Sequence, residues 1–461
     1  MSGALSIGLY KEARALSTTW ALAAAALIAM SWWGARPALE LGLAAYIAGA
    51  VFLGAESIGQ EYTHRTLPLL LAQPIARRRV YVQKLAVLVV MLLLLAAVQW
   101  AVRGDAWRAL AEDRQAAAWL LPIVAGGLMA PWLTMISRSA LGGAALTCFS
   151  AGVTWIGLLL VPIVRFGSGA DEAGAIALGY MPRVIVIGSV IAAVLGWKKF
   201  MTLEAIDGEV AVIALPRWIA SSEGRRGYRP WRALIAKELH LQQLTFGITI
   251  QYFVVWGIIG WLLHLVPAWR DFPLHAVTTV YCMILPVVIG AIASAEERHH
   301  GTLQAQLLQP IAAWQQLVAK AGVTFALALI LGVGLPVLLA FIAGDQSTTQ
   351  MAGILIPSSV LLTAIGLYLS SLSTSAVRAL VALLPVGAGV VLFVQAAYGF
   401  MPPTRPIPTL PSGNLLVAII TPALVGLAFI NHRTTERSAS TIAAQALSLA
   451  VVVLVALIAA R

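Results

Sequence analysis

The sequence predicts an all-α polytopic membrane protein built from two parallel six-helix repeats in a pseudo-two-fold arrangement, with one extra C-terminal span. Its composition, its apolar runs and an internal repeat lead to this prediction. Of 461 residues, 60% are hydrophobic and only 11% are charged. Soluble globular chains have roughly 45–50% apolar and about 25% charged residues. This composition excludes a soluble protein, so we expect the lipid bilayer, and no nucleic acid, as a partner.

Thirteen apolar runs, each near the roughly 20 residues that a helix needs to cross a bilayer, extend to the C-terminus. They lie near residues 18–33, 41–58, 82–102, 116–136, 141–164, 182–198, 246–266, 276–294, 321–343, 351–370, 379–399, 414–430 and 440–460. Six runs fall in each repeat. The last run, 440–460, is either an added span or a helix lying against the bundle.

The positive charges predict the orientation. If the N-terminus is cytoplasmic, the formal charge of +11 gathers in cytoplasmic segments, chiefly the loop around Arg77 to Lys84 and the segment after Lys198. Excess Lys and Arg mark the cytoplasmic side of a membrane protein. We therefore expect an integral plasma-membrane protein, of the bacterial inner-membrane kind, with its N-terminus inside.

An internal repeat organises the chain. Residues 61–84 and 297–320 are identical at eleven of 24 positions without a gap, at a constant offset of 236. The same offset relates the Ser-x-Ser loops that begin at Ser137 and Ser373. A Lys-Glu pair precedes the first span of each half, at Lys11 and Lys237. Six spans are an even number, so both halves enter the membrane in the same direction, as parallel repeats with a pathway at their interface do.

These features predict four segments. The first transmembrane half covers residues 1–198, a cytoplasmic linker covers 199–232, the second half covers 233–430, and an additional C-terminal helix covers 440–460. Ala4–Leu16 and Trp231–Leu244 read either as short helices at the membrane surface or as extensions of the spans that follow.

The repeated loop is the most informative motif. Glu61–Leu71 and Glu297–Leu308 mix charged and apolar residues and are each followed by a proline, which favours a short amphipathic helix. Such a helix could dock into a groove of a soluble partner. Alternatively it only extends the second span and turns into the third. The same Glu, Thr, Leu, Pro and Lys in both copies favours docking.

These residues resemble the loop between the second and third spans of type 2 ABC-exporter permeases. Gly301-Thr302-Leu303 matches that family's pattern directly, whereas Arg65 replaces the glycine in the first half. The Lys-Glu pairs resemble the start of the family's elbow helix, and the Ser-x-Ser loops resemble its connection between the fourth and fifth spans. Most members carry six spans per chain and dimerise, so this chain resembles a fused pseudo-dimer that needs no homodimer.

The resemblance implies two coupling helices that dock onto two copies of a cytoplasmic P-loop ATPase. The implied docking residues are Glu61, His64, Arg65, Thr66, Leu67, Glu297, His300, Gly301, Thr302 and Leu303. ATP and magnesium would be bound by those partners, because this chain has no G-x-x-x-x-G-K-[ST] motif, no common zinc signature and no catalytic motif that we assign. The first loop has an excess of four positive charges and the second is balanced, so we expect the two docking sites to be unequal.

In this family the second and fifth spans of each half line the transport cavity. Here these spans are apolar with few polar groups, which suits a lipophilic or amphiphilic solute. The cavity candidates are Tyr46, Thr147, Thr154, Thr278, Tyr281, Gln395 and Tyr398. Alternatively, these side chains bond backbone carbonyls or hold helices together.

Two other classes stay open. A self-sufficient secondary transporter with six-plus-six parallel repeats would be expected to have charged residues within its spans, whereas most charges here fall in predicted loops. An intramembrane hydrolase would use Ser168, with His264 or His275 as base.

Overall fold

A computed structural model describes residues 2–31, 36–64, 66–72, 75–111, 120–166, 170–203, 230–265, 274–299, 311–344, 346–399, 410–433 and 438–459. Within these ranges the chain is helical, with short turns and no strand. Among the described residues, ten helices are long and apolar enough to cross a membrane. The prediction of an all-helical membrane protein is therefore confirmed in this broad form.

The helices follow the predicted runs closely. They are α1 (Ser2–Ser31), α2 (Arg36–Thr63), α3 (Leu67–Leu71), α4 (Arg77–Ala111), α5 (Leu121–Val124), α6 (Ala130–Ser137), α7 (Ala140–Phe166), α8 (Ala170–Met201), α9 (Pro230–Leu241), α10 (Gln243–Leu265), α11 (Leu274–His299), α12 (Ala313–Leu329), α13 (Leu335–Ala343), α14 (Gln346–Leu372), α15 (Ala376–Gly399), α16 (Leu410–His432) and α17 (Ala439–Ala459). Single π-helical turns, Ala125–Met129 and Ile330–Gly334, join α5 to α6 and α12 to α13. In the part of the chain that the structure describes, three further apolar helical stretches are shorter than a full span: Leu121–Ser137, Ala376–Gly387 and Ser440–Ala456.

The chain divides into two compact units. Unit 1 comprises Met1–Val210 with Leu263–Phe272 and Leu384–Leu392, and unit 2 comprises the remaining residues. In unit 1, α2 packs against α1, α4, α6 and α7. In unit 2, α11 packs mainly against α14, which in turn packs against α16.

Glycines let the central helix of each unit approach its neighbour closely. A Cβ atom on Gly54 would lie 1.8 Å from the Gly126 carbonyl oxygen in the π turn of unit 1. A Cβ atom on Gly290 would lie 2.5 Å from the Thr363 carbonyl oxygen in unit 2. Small residues at such contacts allow membrane helices to pack backbone against backbone.

The Ser-x-Ser loops are helix starts. Arg138 adopts the left-handed conformation (φ 53°) and ends α6. The next residue, Ser139, accepts a hydrogen bond from the Gly142 amide at 3.4 Å, and Ser375 accepts one from the Arg378 amide at 3.3 Å. A serine hydroxyl that caps the free amides of the first helical turn explains why this residue type recurs before α7 and α15.

The N-terminal ends of the two units differ. α1 runs unbroken, so the segment Ala4–Leu16 is an extension of the first span. In unit 2 a turn at Gln242 separates α9 from α10. The buried Gln242 side chain donates a hydrogen bond to the Ile289 carbonyl at 3.0 Å, which fixes this break against α11.

Candidate functional site

Three helices of unit 1 meet at a buried ion cluster, here called cluster 1, formed by Glu12, Glu61 and Lys84. Lys84 is 3% exposed, and its ammonium lies 2.8 Å from a carboxylate oxygen of each glutamate. Glu12 lies on α1, Glu61 near the end of α2 and Lys84 near the start of α4. The Thr66 hydroxyl also donates to Glu61. Cluster 1 therefore ties the repeated loop to α1.

Unit 2 contains the same arrangement, here called cluster 2, formed by Glu238, Glu297 and Lys320. Lys320 is completely buried, 3.1 Å from Glu238 and 2.8 Å from Glu297. It also donates to the Ala293 carbonyl at 2.5 Å. Lys237, which is about one-third exposed, pairs with both glutamates. Cluster 2 ties the end of α11 and the start of α12 to α9.

The two clusters differ in how closely a second lysine approaches. Lys237 forms ion pairs with both glutamates of cluster 2, whereas the charge of Lys11, its counterpart on α1, acts on Glu61 without a described ion pair. Burial raises the pKa of the Glu238 carboxyl above its ordinary value; Lys320 opposes this rise and the charge of Glu297 adds to it. Each lysine is the cation that two buried or partly buried carboxylates share, so removing it would leave their charge less well compensated.

Sequence reasoning singled out these residues separately. The sequence predicts docking roles for Glu61 and Glu297, elbow motifs for the Lys-Glu pairs, and a loop position for Lys84. The structure buries Glu61 and Glu297 and joins all three motifs. The recurrence of Lys84 as Lys320 was the signal that could have indicated the cluster.

The repeated loop of unit 1 is not one continuous helix. Glu61 lies on α2, which ends at Thr63, and α3 is a separate turn of five residues. Leu67 and Leu70 of α3 are buried among Ile58, Val80, Tyr81, Met135 and Phe200. His64 is exposed, and so is Leu69, at 69%. Arg65, His300, Gly301, Thr302 and Leu303 lie outside the described residues.

The cavity candidates of unit 1 are engaged within the bundle. The hydroxyls of Thr147 and Thr154 donate to carbonyls one turn earlier on α7, those of Gly143 and Ser150, at 2.7 and 2.8 Å. Tyr46 is buried in α2 at 1% exposure. These contacts agree with the alternative in which the hydroxyls bond backbone carbonyls.

Two cavity candidates of unit 2 belong to a polar aromatic group. The rings of Tyr281 and Tyr252 stack with centroids 3.8 Å apart. The Tyr281 hydroxyl lies 3.1 Å from the Thr249 hydroxyl and 3.1 Å from the Leu331 carbonyl in the π turn, two acceptors that share its one proton, and Tyr252 bonds Thr278 at 3.1 Å. This group joins α10, α11 and the π turn.

Other candidates lie beyond what is described. Gln395 and Tyr398 are on α15, His264 on α10 and His275 on α11, but their side chains are outside the described part of the structure. Ser168 lies between described ranges.

A second polar network in unit 2 was not expected from the sequence. Gln445 of α17 is buried, exchanges hydrogen bonds with Asn431 at 2.8 and 3.2 Å, and accepts one from Tyr368 at 3.2 Å. Arg298 donates to the Asn431 carbonyl at 2.6 Å. This network joins α17 to α14 and α16, and joins α16 to the residue next to Glu297. Within unit 2, the C-terminal helix therefore packs against α16 and bonds to α14.

Comparison with known proteins finds no matching family model, no matching curated protein and no matching solved structure.

Proposed function

We propose that this chain is the transmembrane permease subunit of an ATP-driven ABC exporter. In this proposal two separate ATPase subunits hydrolyse ATP, and the chain itself is not catalytic. Its two halves are tandem repeats, each carrying one coupling element on the cytoplasmic side. The exported solute is lipophilic or amphiphilic, which agrees with apolar spans whose described hydroxyls bond within the bundle.

The observation that carries the proposal is the pair of matched ion clusters. Lys84 and Lys320 are 236 residues apart, as are Glu61 and Glu297, and the Lys-Glu pairs supply Glu12 and Glu238. Each cluster joins an N-terminal helix, the end of one long helix and the start of the next. Because each cluster fixes the loop to three helices, a movement that a soluble partner imposes on the loop would be transmitted to all three. A coupling element requires such a connection.

In unit 1, α3 offers a defined docking face. Buried Leu67 and Leu70 anchor the turn, while His64 and Leu69 point outward. An exposed leucine beside polar groups fits an apolar groove on a partner. Glu61 and Glu297 then position the loops and do not themselves contact the ATPase.

The test is affinity purification of the full chain from its native membrane in mild detergent, scored for a co-purifying P-loop ATPase. We expect two ATPase copies per chain. Leu69→Asp should reduce ATPase recovery several-fold without lowering the chain's thermal stability. Thr202→Asp, at an exposed position after α8, should leave recovery unchanged. A chain that purifies alone, in amounts unaffected by Leu69→Asp, would refute the proposal.

A secondary transporter is the second candidate, and a buried carboxyl within a candidate span favours it. Glu56 on α2 is 3% exposed and accepts a hydrogen bond from Thr19 of α1. Ionisable groups at such depth commonly serve ion coupling. Solute uptake into liposomes driven by a proton gradient without ATP, and abolished by Glu56→Gln, would favour this reading over the first.

A further inference from the structure

One end of unit 1 carries a surface of five basic side chains, here called the basic patch. It consists of Arg77, Arg78 and Arg79 at the start of α4, and Lys198 and Lys199 near the end of α8, all exposed. Arg77 donates to the carbonyls of Met201 and Leu203, both at 2.9 Å. The Arg78 guanidinium lies 5.9 Å from the centre of the Trp197 ring. These contacts make the two helix ends one continuous surface.

The stability of α4 does not explain this charge. Cations at a helix N-terminus oppose the helix dipole, and three arginines open α4. In unit 2 the corresponding positions are Ala313, Trp314 and Gln315, and they also open a helix, α12. In the described part of the chain no carboxylate pairs with any of the five side chains, whereas Lys84, farther along α4, has two.

The position of the patch indicates its ligand. Candidate spans begin at Arg77 and end at Met201, so the patch lies where the helices leave the bilayer. Next to it are exposed apolar side chains, Val82 at 50% and Val194 at 52%, which acyl chains can cover. Trp197 sits between the apolar and basic surfaces, as aromatic residues do at membrane interfaces. A soluble acidic partner would explain the charge but not the adjoining apolar flank.

We infer that the basic patch binds the phosphate headgroup of an anionic phospholipid. Guanidinium groups bind phosphate oxygens in pairs, and clusters of basic residues next to a span attract anionic lipids. This inference concerns unit 1 alone, and it requires only a membrane protein, so it holds whether or not the chain binds an ATPase.

The test uses the purified full chain in detergent and measures, by native mass spectrometry, retention of added phosphatidylglycerol against phosphatidylcholine. The main variant is Lys198→Gln with Lys199→Gln, because Arg77 also bonds backbone. The control is Arg183→Gln, an exposed arginine elsewhere on α8. Each charge removed should weaken binding roughly five-fold, so the double variant should lose roughly 25-fold. Changing all three arginines to Gln should lose over about 100-fold.

Preferential binding of phosphatidylglycerol that is lost in the double variant and kept in the control supports the inference. Equal retention of both lipids, or no change in the double variant, overturns it. If inorganic phosphate at the same concentration displaces the lipid fully, the patch is a free-anion site and the inference fails. The inference also fails if the double variant retains phosphatidylglycerol but no longer binds a soluble acidic protein that the wild-type chain binds.

Discussion

Replacing Lys320 by Met tests whether cluster 2 holds three helix ends together. Lys320 is fully buried and lies within 3.1 Å of Glu238 and 2.8 Å of Glu297. Methionine keeps the length of the side chain but removes its charge. The two carboxylates would then remain buried, and their remaining ion pairs in the described part of the chain include those with the partly exposed Lys237.

The expected loss is large, because removing one partner of a buried ion pair typically costs about 3–5 kcal/mol. For a unit of this size, that corresponds to a fall of roughly 6–20 °C in the unfolding midpoint. Replacing the three buried charges, by Lys320→Met with Glu238→Gln and Glu297→Gln, should restore most of the stability, since the remaining charge, on Lys237, is about one-third exposed and can be solvated. The matched control is Arg183→Met, at an exposed position outside both clusters and the basic patch, with an expected change within about 0.5 kcal/mol.

The assay is thermal unfolding of the purified chain in one detergent, followed by intrinsic fluorescence. The pH dependence adds a second readout. Burial raises the pKa of Glu238, so the folded state holds that proton more tightly than the unfolded state does. The stability gained from this proton is complete below the ordinary carboxyl range and is lost as pH rises through the raised pKa.

Loss of Lys320 removes the charge that opposes the rise in the pKa of Glu238. The stability lost in Lys320→Met should therefore be greater at about pH 8 than at about pH 6. Adding Glu238→Gln should remove the extra pH dependence. A Lys320→Met variant that unfolds at the wild-type midpoint at both pH values would refute the reasoning.

Two further predictions concern packing. Gly54→Ala should cost about 1–3 kcal/mol, because the new methyl would overlap the Gly126 carbonyl. Gly257→Ala, with nothing within 4 Å of its Cβ, should leave the stability unchanged or raise it by about 0.5–1 kcal/mol. Equal effects of Gly54→Ala and Gly257→Ala on thermal unfolding would contradict this. Gln445→Leu should cost about 1–3 kcal/mol by leaving buried polar groups unpaired, and should speed proteolysis of α17. Leu447→Ala, at a 69% exposed position, should change neither the stability nor the rate of proteolysis. Identical cleavage rates for Gln445→Leu and Leu447→Ala would count against the network.

Part of this protein's structure could be predicted from its sequence. Apolar runs predict helices of spanning length because the requirement to satisfy every backbone group in lipid leaves little choice of structure. The repeat at a fixed offset also drew attention to Glu61, Lys84 and their counterparts, which the structure buries in clusters 1 and 2, although the sequence predicts a docking role for Glu61 and Glu297 and no ion cluster. The contacts of these residues could not be predicted from the sequence.

Only the tertiary structure decided which charges face inward. A glutamate in a polar loop and one buried against a lysine look alike in sequence, because composition does not record the neighbours that packing supplies. Glu12 and Lys84 are 72 residues apart, and they meet only because α1 packs against α4. The sequence therefore determined the class and the helices, whereas the packing of three helix ends decided that the repeated motifs form one ion cluster in each unit.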